Sequence, residues 1–183
     1  SVPVRLSPLS FYQVNTLGAE QLYGEAARMA QLDSGDTLLD LYCGAGTIGL
    51  SMAAACRQLV GAEIVPEAVE NARANAARMG ACNARFLCAD AAEAAQQLLA
   101  EGLRPDVVVL DPPRKGCDEA TLSTVASMGP RRVVMVSCNA ATAARDAAWL
   151  AAHGYAPEAV RPVDMFPRTK HVEAVIRFSR QAL

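Results

Sequence analysis

The residues of this chain best suited to bond-making chemistry are a cysteine and a glutamate in short polar runs. These are Cys138 in SCNAAT (137–142) and Glu173 in FPRTKHVE (166–173). A thiol attacks only as its thiolate, and a place just before a helix N-terminus, among polar neighbours, is expected to lower its pKa. Paired with a carboxylate, such a thiolate opens a route neither group opens alone. The sulfur adds to an electron-poor carbon–carbon double bond and the neighbouring carbon becomes nucleophilic. Once that carbon is substituted, the base takes its proton and the sulfur leaves. Carbon 5 of uracil, a poor nucleophile towards a methyl sulfonium, is a target that needs this help. A glutamate before a strand is ordinarily just solvated, and only the company of Cys138 singles out Glu173.

A second set of residues reads as a nucleotide-type cofactor site. The run CGAGTIG (43–49) follows an apolar strand and opens a helix, and Gly44 and Gly46 let its backbone turn tightly and approach a ligand. Glu63 ends the next strand at the spacing expected of a partner for ribose hydroxyls. Asp90 ends the third, where a carboxylate can meet an adenine amino group. Each acid alone is an ordinary strand-end or helix-capping residue; their order gives them weight. DPPRKG (111–116) forms a stiff, donor-poor corner after the fourth strand, with Asp111 leading Pro112 and Pro113. Arg114 stands where an aromatic would stack on a flipped base in an amino-methyltransferase, which disfavours attack by an exocyclic amine. Arg114 and Lys115 are candidates for holding RNA phosphate.

Elements must bring these runs together. Residues 17–32 put Leu22, Ala26, Met29 and Ala30 on one helical face. From Asp36 onward strands and helices alternate. Strands are expected at TLLDLY, QLVGAE, RFLCAD, DVVVLD and RRVVMVS. Helices are expected at 47–56, from Pro66, at 91–101, between strands four and five, and at 141–152. Two more strand-like runs lie at 155–163 and 172–178. Continuous Val, Leu and Ile strands with helices between them imply an α/β fold with a parallel sheet covered on both faces, and ligands bind beyond its carboxyl ends. Apart from Gln13 and Glu173, the candidate residues fall there.

The chain has 183 residues, ample for one core, and over half are hydrophobic. No apolar stretch nears the roughly 20 residues of a membrane span, and no signal-peptide layout opens the chain. A net charge of −2 disfavours a freestanding nucleic-acid binder. The six cysteines include no C-x-x-C pair and the histidines number only two, so no metal site is expected. A reduced cytoplasmic protein is the simpler account. Cys56, Cys82 and Cys88 are read as buried structural thiols.

Six runs in order, FYQVN (11–15), DLYCGAGTIGL (40–50), GAEIVPEAVENA (61–72), DPPRKG, SCNAAT and DMFPRTKHVE (164–173), resemble the RNA uracil-5-methyltransferase family over residues 11–178. The resemblance implies a Rossmann-like class I fold dependent on S-adenosylmethionine, with a seven-stranded, mostly parallel sheet and helices on both faces. It implies Cys138 as nucleophile and Glu173 as proton acceptor. Gln13, Tyr42, Thr47, Glu63, Asp90 and Asp111 match cofactor-contacting positions, joined by Gly44 and Gly46 of the turn. Gln13 is also a substrate candidate, as are Pro112, Arg114 and Lys115. The product would be S-adenosylhomocysteine. The bacterial ribosomal branch is the nearer match, which favours 23S ribosomal RNA over tRNA.

Residues 1–16 then read as a lead-in from an N-terminal region and 17–183 as the catalytic domain. Family members carry an N-terminal OB-like RNA-binding domain and an insert that often holds an iron–sulfur cluster; neither is expected in this chain, and monomer is the default state. Ala140 departs from the family's SCNPAT, and loss of that proline is expected to loosen the Cys138 loop. The alternatives are a tRNA uracil-5 enzyme, a cytosine-5 methyltransferase, a small-molecule methyltransferase, and an inactive cofactor-binding scaffold.

Overall fold

A computed structural model of the protein describes residues 15–165, 167–169 and 172–181. Helix α1 (Thr16–Ala30) leads into β1 (Thr37–Leu41), α2 (Thr47–Met52), β2 (Gln58–Glu63), α3 (Pro66–Met79), β3 (Ala84–Cys88), α4 (Ala91–Ala100) and β4 (Val107–Leu110). Then follow α5 (Glu119–Met128), β5 (Arg132–Ser137), α6 (Ala140–Ala152), β6 (Tyr155–Val163) and β7 (Glu173–Arg180). Helix α2 is shorter than its sequence pattern, because residues 53–55 tighten into a 3-10 turn before β2.

The seven strands form one sheet in the order β3-β2-β1-β4-β5-β7-β6. The first five run parallel; β7 is antiparallel to both β5 and β6. Chain order reverses direction between β1 and β4, so the ends of those strands flank the place where such sheets bind ligands.

All five residues of β1 and all four of β4 are buried, as are five of the six in β5. That is why these strands read as unbroken apolar runs. Alternate residues serve opposite faces. Leu38, Val107, Val109 and Val134 join α1, α2 and α3 in one core layer. Leu39, Val108, Leu110 and Met135 join α4, α5 and α6 in the other. Burying each such side chain contributes about 1.5–3 kcal/mol.

Side chains set the helix starts. Asn15 accepts from Gly18 N (3.0 Å), Asp118 from Thr121 N (2.7 Å) and Asn139 from Ala141 N (3.1 Å). At the end of the sheet away from those turns, Arg131 donates to both oxygens of Asp36 (2.6 and 2.5 Å). The outer strand β6 carries Pro157 and Pro162 and bulges between Pro157 and Ala159. Among the described residues no helix is long and apolar enough to cross a membrane.

Candidate active site

Beyond the carboxyl ends of the parallel strands lies a cleft of about 550 Å³. Tyr42, Gly44 and Thr47 reach it from the β1–α2 turn, Glu63 from β2, and Asp90 from the β3–α4 junction. Asp111, Pro112, Arg114 and Lys115 line it from the loop after β4, Cys138 from the end of β5, and Glu173 from the start of β7. Gly46 does not line the cleft. It bends the turn behind it at φ +79°, beneath Leu50 and Phe86. Gln13 lies outside the described residues.

The glycine turn is held from three sides. Glu63 accepts Gly44 N through one oxygen (3.0 Å) and Val65 N through the other (2.9 Å). Each oxygen keeps a lone pair for a further donor such as a hydroxyl. The buried Asn75 of α3 donates to Ala45 O (3.1 Å). Tyr42 adopts a left-handed backbone (φ +66°) and its hydroxyl lies 3.4 Å from Thr121 Oγ1, with burial pushing its pKa up. Positive φ at a bulky residue costs about 1–3 kcal/mol and clusters at functional sites.

Asp40 was not singled out by its sequence context, yet it lies at the floor of the cleft. One oxygen accepts from Gly49 N (2.9 Å); the other is buried with no hydrogen-bond partner. A Cβ on Gly49 would stand 2.7 Å from that carboxylate, so only glycine lets α2 approach β1 so closely. Burial, reinforced by the charge of Glu63, lifts the Asp40 carboxyl to about 7 despite the Gly49 bond. The signal for Asp40 is visible in TLLDLY, an acid inside a wholly buried strand. Asp90 caps α4 by accepting from Ala92 N (2.9 Å), and one of its oxygens remains outside that bond.

At the other end of the cleft, the β5–β7 register pairs Ser137 with Ala174 and so brings Glu173 to the Cys138 end of the sheet. Glu173 is only 5% exposed, not solvated. Burial raises its carboxyl pKa and the Arg114 guanidinium opposes that rise. Burial also raises the Cys138 thiol, helped by the charge of Glu173 and opposed by Arg114. This corrects the expectation of a lowered thiol: burial and a facing carboxylate outweigh the helix end, whose Ala141 N–H is already taken by Asn139. Asp111 rises to about 8, through burial first and then the charges of Asp40 and Glu173.

Two other thiols also depart from their sequence reading. Cys82 and Cys88 are exposed, because one sits in the turn after α3 and the other at the end of β3, near the sheet edge; Cys56 is buried as expected.

Five parallel strands, a reversed β7 between β5 and β6, and a Gly-rich turn after β1 define the Rossmann-like class I methyltransferase fold. The family model for tRNA (uracil-5-)-methyltransferases matches residues 4–181, and the chain belongs to that family. It is 48% identical over 175 residues to a protein of Staphylococcus aureus (strain COL) named an uncharacterized RNA methyltransferase, covering 96% of this chain and 38% of that one. A similarly named Halalkalibacterium halodurans protein is 49% identical over 170 residues, with 93% and 37% covered. The chain thus spans well under half the length of these relatives. Among solved structures, the Pyrococcus abyssi tRNA (uracil-54, C5)-methyltransferase in complex with S-adenosyl-L-homocysteine superposes with a TM-score of 0.79 at 30% identity, over 96% of this chain and 41% of that one.

Proposed function

We propose that the chain is the catalytic domain of an S-adenosylmethionine-dependent RNA methyltransferase acting on carbon 5 of a uracil, with 23S ribosomal RNA favoured over tRNA. The observation that carries this reading is the meeting of Cys138, Glu173 and Arg114 in one cleft with the glycine turn and Glu63. The cofactor suits the residues present. Glu63 has lone pairs for ribose hydroxyls, and Asp90 has a carboxylate oxygen for an adenine amino group. The unpartnered oxygen of Asp40 and the buried carboxyl of Asp111 suit the positive amino-acid end. Bound there, S-adenosylmethionine supplies an electrophilic methyl group on a sulfonium sulfur.

The protein's own part is as follows. Cys138 loses its proton to solvent and its thiolate sulfur bonds to carbon 6 of uracil, sending the double-bond electrons towards the carbon-4 carbonyl. Carbon 5 is thereby made nucleophilic. After carbon 5 has been methylated, Glu173 accepts its proton, the electron pair re-forms the double bond, and the Cys138 sulfur leaves. Arg114 stabilises both negative charges during this exchange. The walls of the cleft limit competing water. RNA is the partner, and an OB-like domain elsewhere in the intact protein would add to its grip.

The deciding experiment incubates intact protein and S-adenosylmethionine with 5-fluorouracil-substituted 23S RNA and, separately, tRNA. Fluorine in place of the carbon-5 proton blocks the last step, so wild type should form a gel-stable adduct that Cys138→Ala lacks. An adduct only with tRNA would move the substrate. An adduct only with 5-fluorocytidine RNA would replace uracil by cytosine.

A further inference from the structure

The loop carrying Arg114 is fastened to α6 by an ion pair, one partner of which is buried, that none of the chemistry above uses. Asp146 is 1% exposed, and its Oδ2 accepts from Cys117 N at 2.8 Å. Its Oδ1 accepts from Arg145 Nε (2.8 Å) and Nη2 (2.6 Å). The same Nη2 donates to Lys115 O (3.1 Å) and Cys117 O (2.8 Å). One turn earlier, Asn139 Nδ2 (3.0 Å) and Thr142 Oγ1 (3.3 Å) both donate to Arg114 O. Gly116 completes the junction. Its φ is +79°, and a Cβ there would stand 2.5 Å from Arg145 Nη2 and 2.6 Å from Asp146 Oδ2. The backbone of residues 114–117 is therefore clasped by the helix that starts directly after the nucleophile.

We infer that Asp146, acting with Arg145, is a positioning residue that pins the 111–117 loop to α6 and so keeps Arg114 beside Cys138 and Glu173. The inference rests on the uracil chemistry proposed above only for its purpose; the clasp acts on the thiol whether or not RNA is present. Among the described residues, the charged and titratable groups facing Cys138 are Glu173 on β7, Asp111 at the end of β4, and Arg114 on the clasped loop. The two acids disfavour the thiolate and the arginine favours it. Freeing residues 114–117 takes the favourable Arg114 charge from its place, while Glu173 stays on β7 and Asp111 at the end of β4.

The test is the pH dependence of iodoacetamide alkylation at Cys138 in the intact protein, read by peptide mass spectrometry with the exposed Cys82 as internal reference. Asp146→Asn should make Cys138 react about three- to tenfold more slowly near neutral pH, matching Arg114→Gln in direction and leaving Cys82 unchanged. Arg145→Gln, milder because that side chain is 56% exposed, should act alike if Asp146→Asn folds poorly. In the Asp146→Asn, Arg114→Gln double variant the effects should not add, because one acts through the other. An unmoved Cys138 profile with a lowered melting temperature would make the clasp purely structural and overturn the inference. So would an effect fully additive with Arg114→Gln. RNA plays no part in this readout, so failure of 5-fluorouracil trapping would count against the uracil reading and leave this one standing.

Discussion

Cys138 and Glu173 occupy the rung just beyond the last pair of the antiparallel β5–β7 ladder, in which Ser137 lies opposite Ala174. This depends on the direction of β7. Were β7 parallel to β5, its first residue would lie at the opposite end of the sheet, about 17–20 Å from the thiol. The reversed strand is what lets a residue from the C-terminal region enter a cleft built from the parallel strands.

Removing the carboxylate should therefore separate addition from elimination. Glu173→Gln is expected to lower turnover by about 10²- to 10⁴-fold while Cys138 still adds to uracil. A covalent complex should accumulate on unmodified RNA, seen as a heat-labile shift on a denaturing gel. Loss of both turnover and complex would deny Glu173 the part of proton acceptor.

Glu63 faces two backbone donors, Gly44 N and Val65 N, with one oxygen each. Glu63→Gln turns an amide NH₂ towards one of them and removes the charge. Titration calorimetry with S-adenosylhomocysteine should show about 1.5–3 kcal/mol weaker binding, roughly ten- to a hundredfold. Unchanged affinity would take Glu63 out of the cofactor site.

Two carboxyls with raised pKa values make stability depend on pH in a stated direction. Asp40 rises to about 7 and Asp111 to about 8, both from an ordinary 3.8. Between those values and 3.8 the folded state holds more protons than the unfolded one, so stability falls as pH rises. Their contribution is full below about pH 4 and lost by about pH 8. Asp36, whose carboxyl Arg131 holds low, acts in the opposite sense but only in more acid solution. The melting temperature should thus be higher at pH 6 than at pH 8.5. Asp111→Asn should raise it at pH 8.5 by about 2–6 °C, some 1–2 kcal/mol for a domain of this size, and abolish activity. A melting curve flat between those pH values would contradict the burial of these acids.

Ala140 is the first residue of α6, exposed, and preceded by Asn139 in an extended conformation (φ −137°, ψ 105°). Both positions suit a proline at 140. The loop around Cys138 is held by the Asn139 cap and its bond to Arg114 O, so the expected loosening has a counterweight. Ala140→Pro should add about 0.4–1 kcal/mol, through the unfolded chain. A chemical-denaturation curve checks this; a loss of stability would mean that the Ala140 N–H carries an unrecognised bond.

Much of this architecture is legible in the residues. β1, β4 and β5 announce themselves as unbroken apolar runs because both faces are buried, and polar residues just past their ends mark the cleft. The place of β7 is not legible, since alternation reports faces and never neighbours. Nor are the protonation tendencies of Cys138 and Glu173. A helix N-terminus is visible in sequence, but the burial that outweighs it comes from elements far along the chain. Cys82 and Cys88 show the same gap, as residues with core-like chemistry set where the sheet runs out. Asp146 is hidden for a further reason: in a helix an aspartate reads as solvated, and only the fold returns the Gly116 loop to cover it.

The bulged outer strand β6 bears on behaviour at high concentration. Pro157 and Pro162 have no N–H to offer, and the bulge breaks the spacing of the groups between them. Another molecule's strand arriving at that edge meets an incomplete template. Self-templated growth of intermolecular sheet is thereby blocked at the end of the molecule where Val160, 55% exposed, would otherwise invite it.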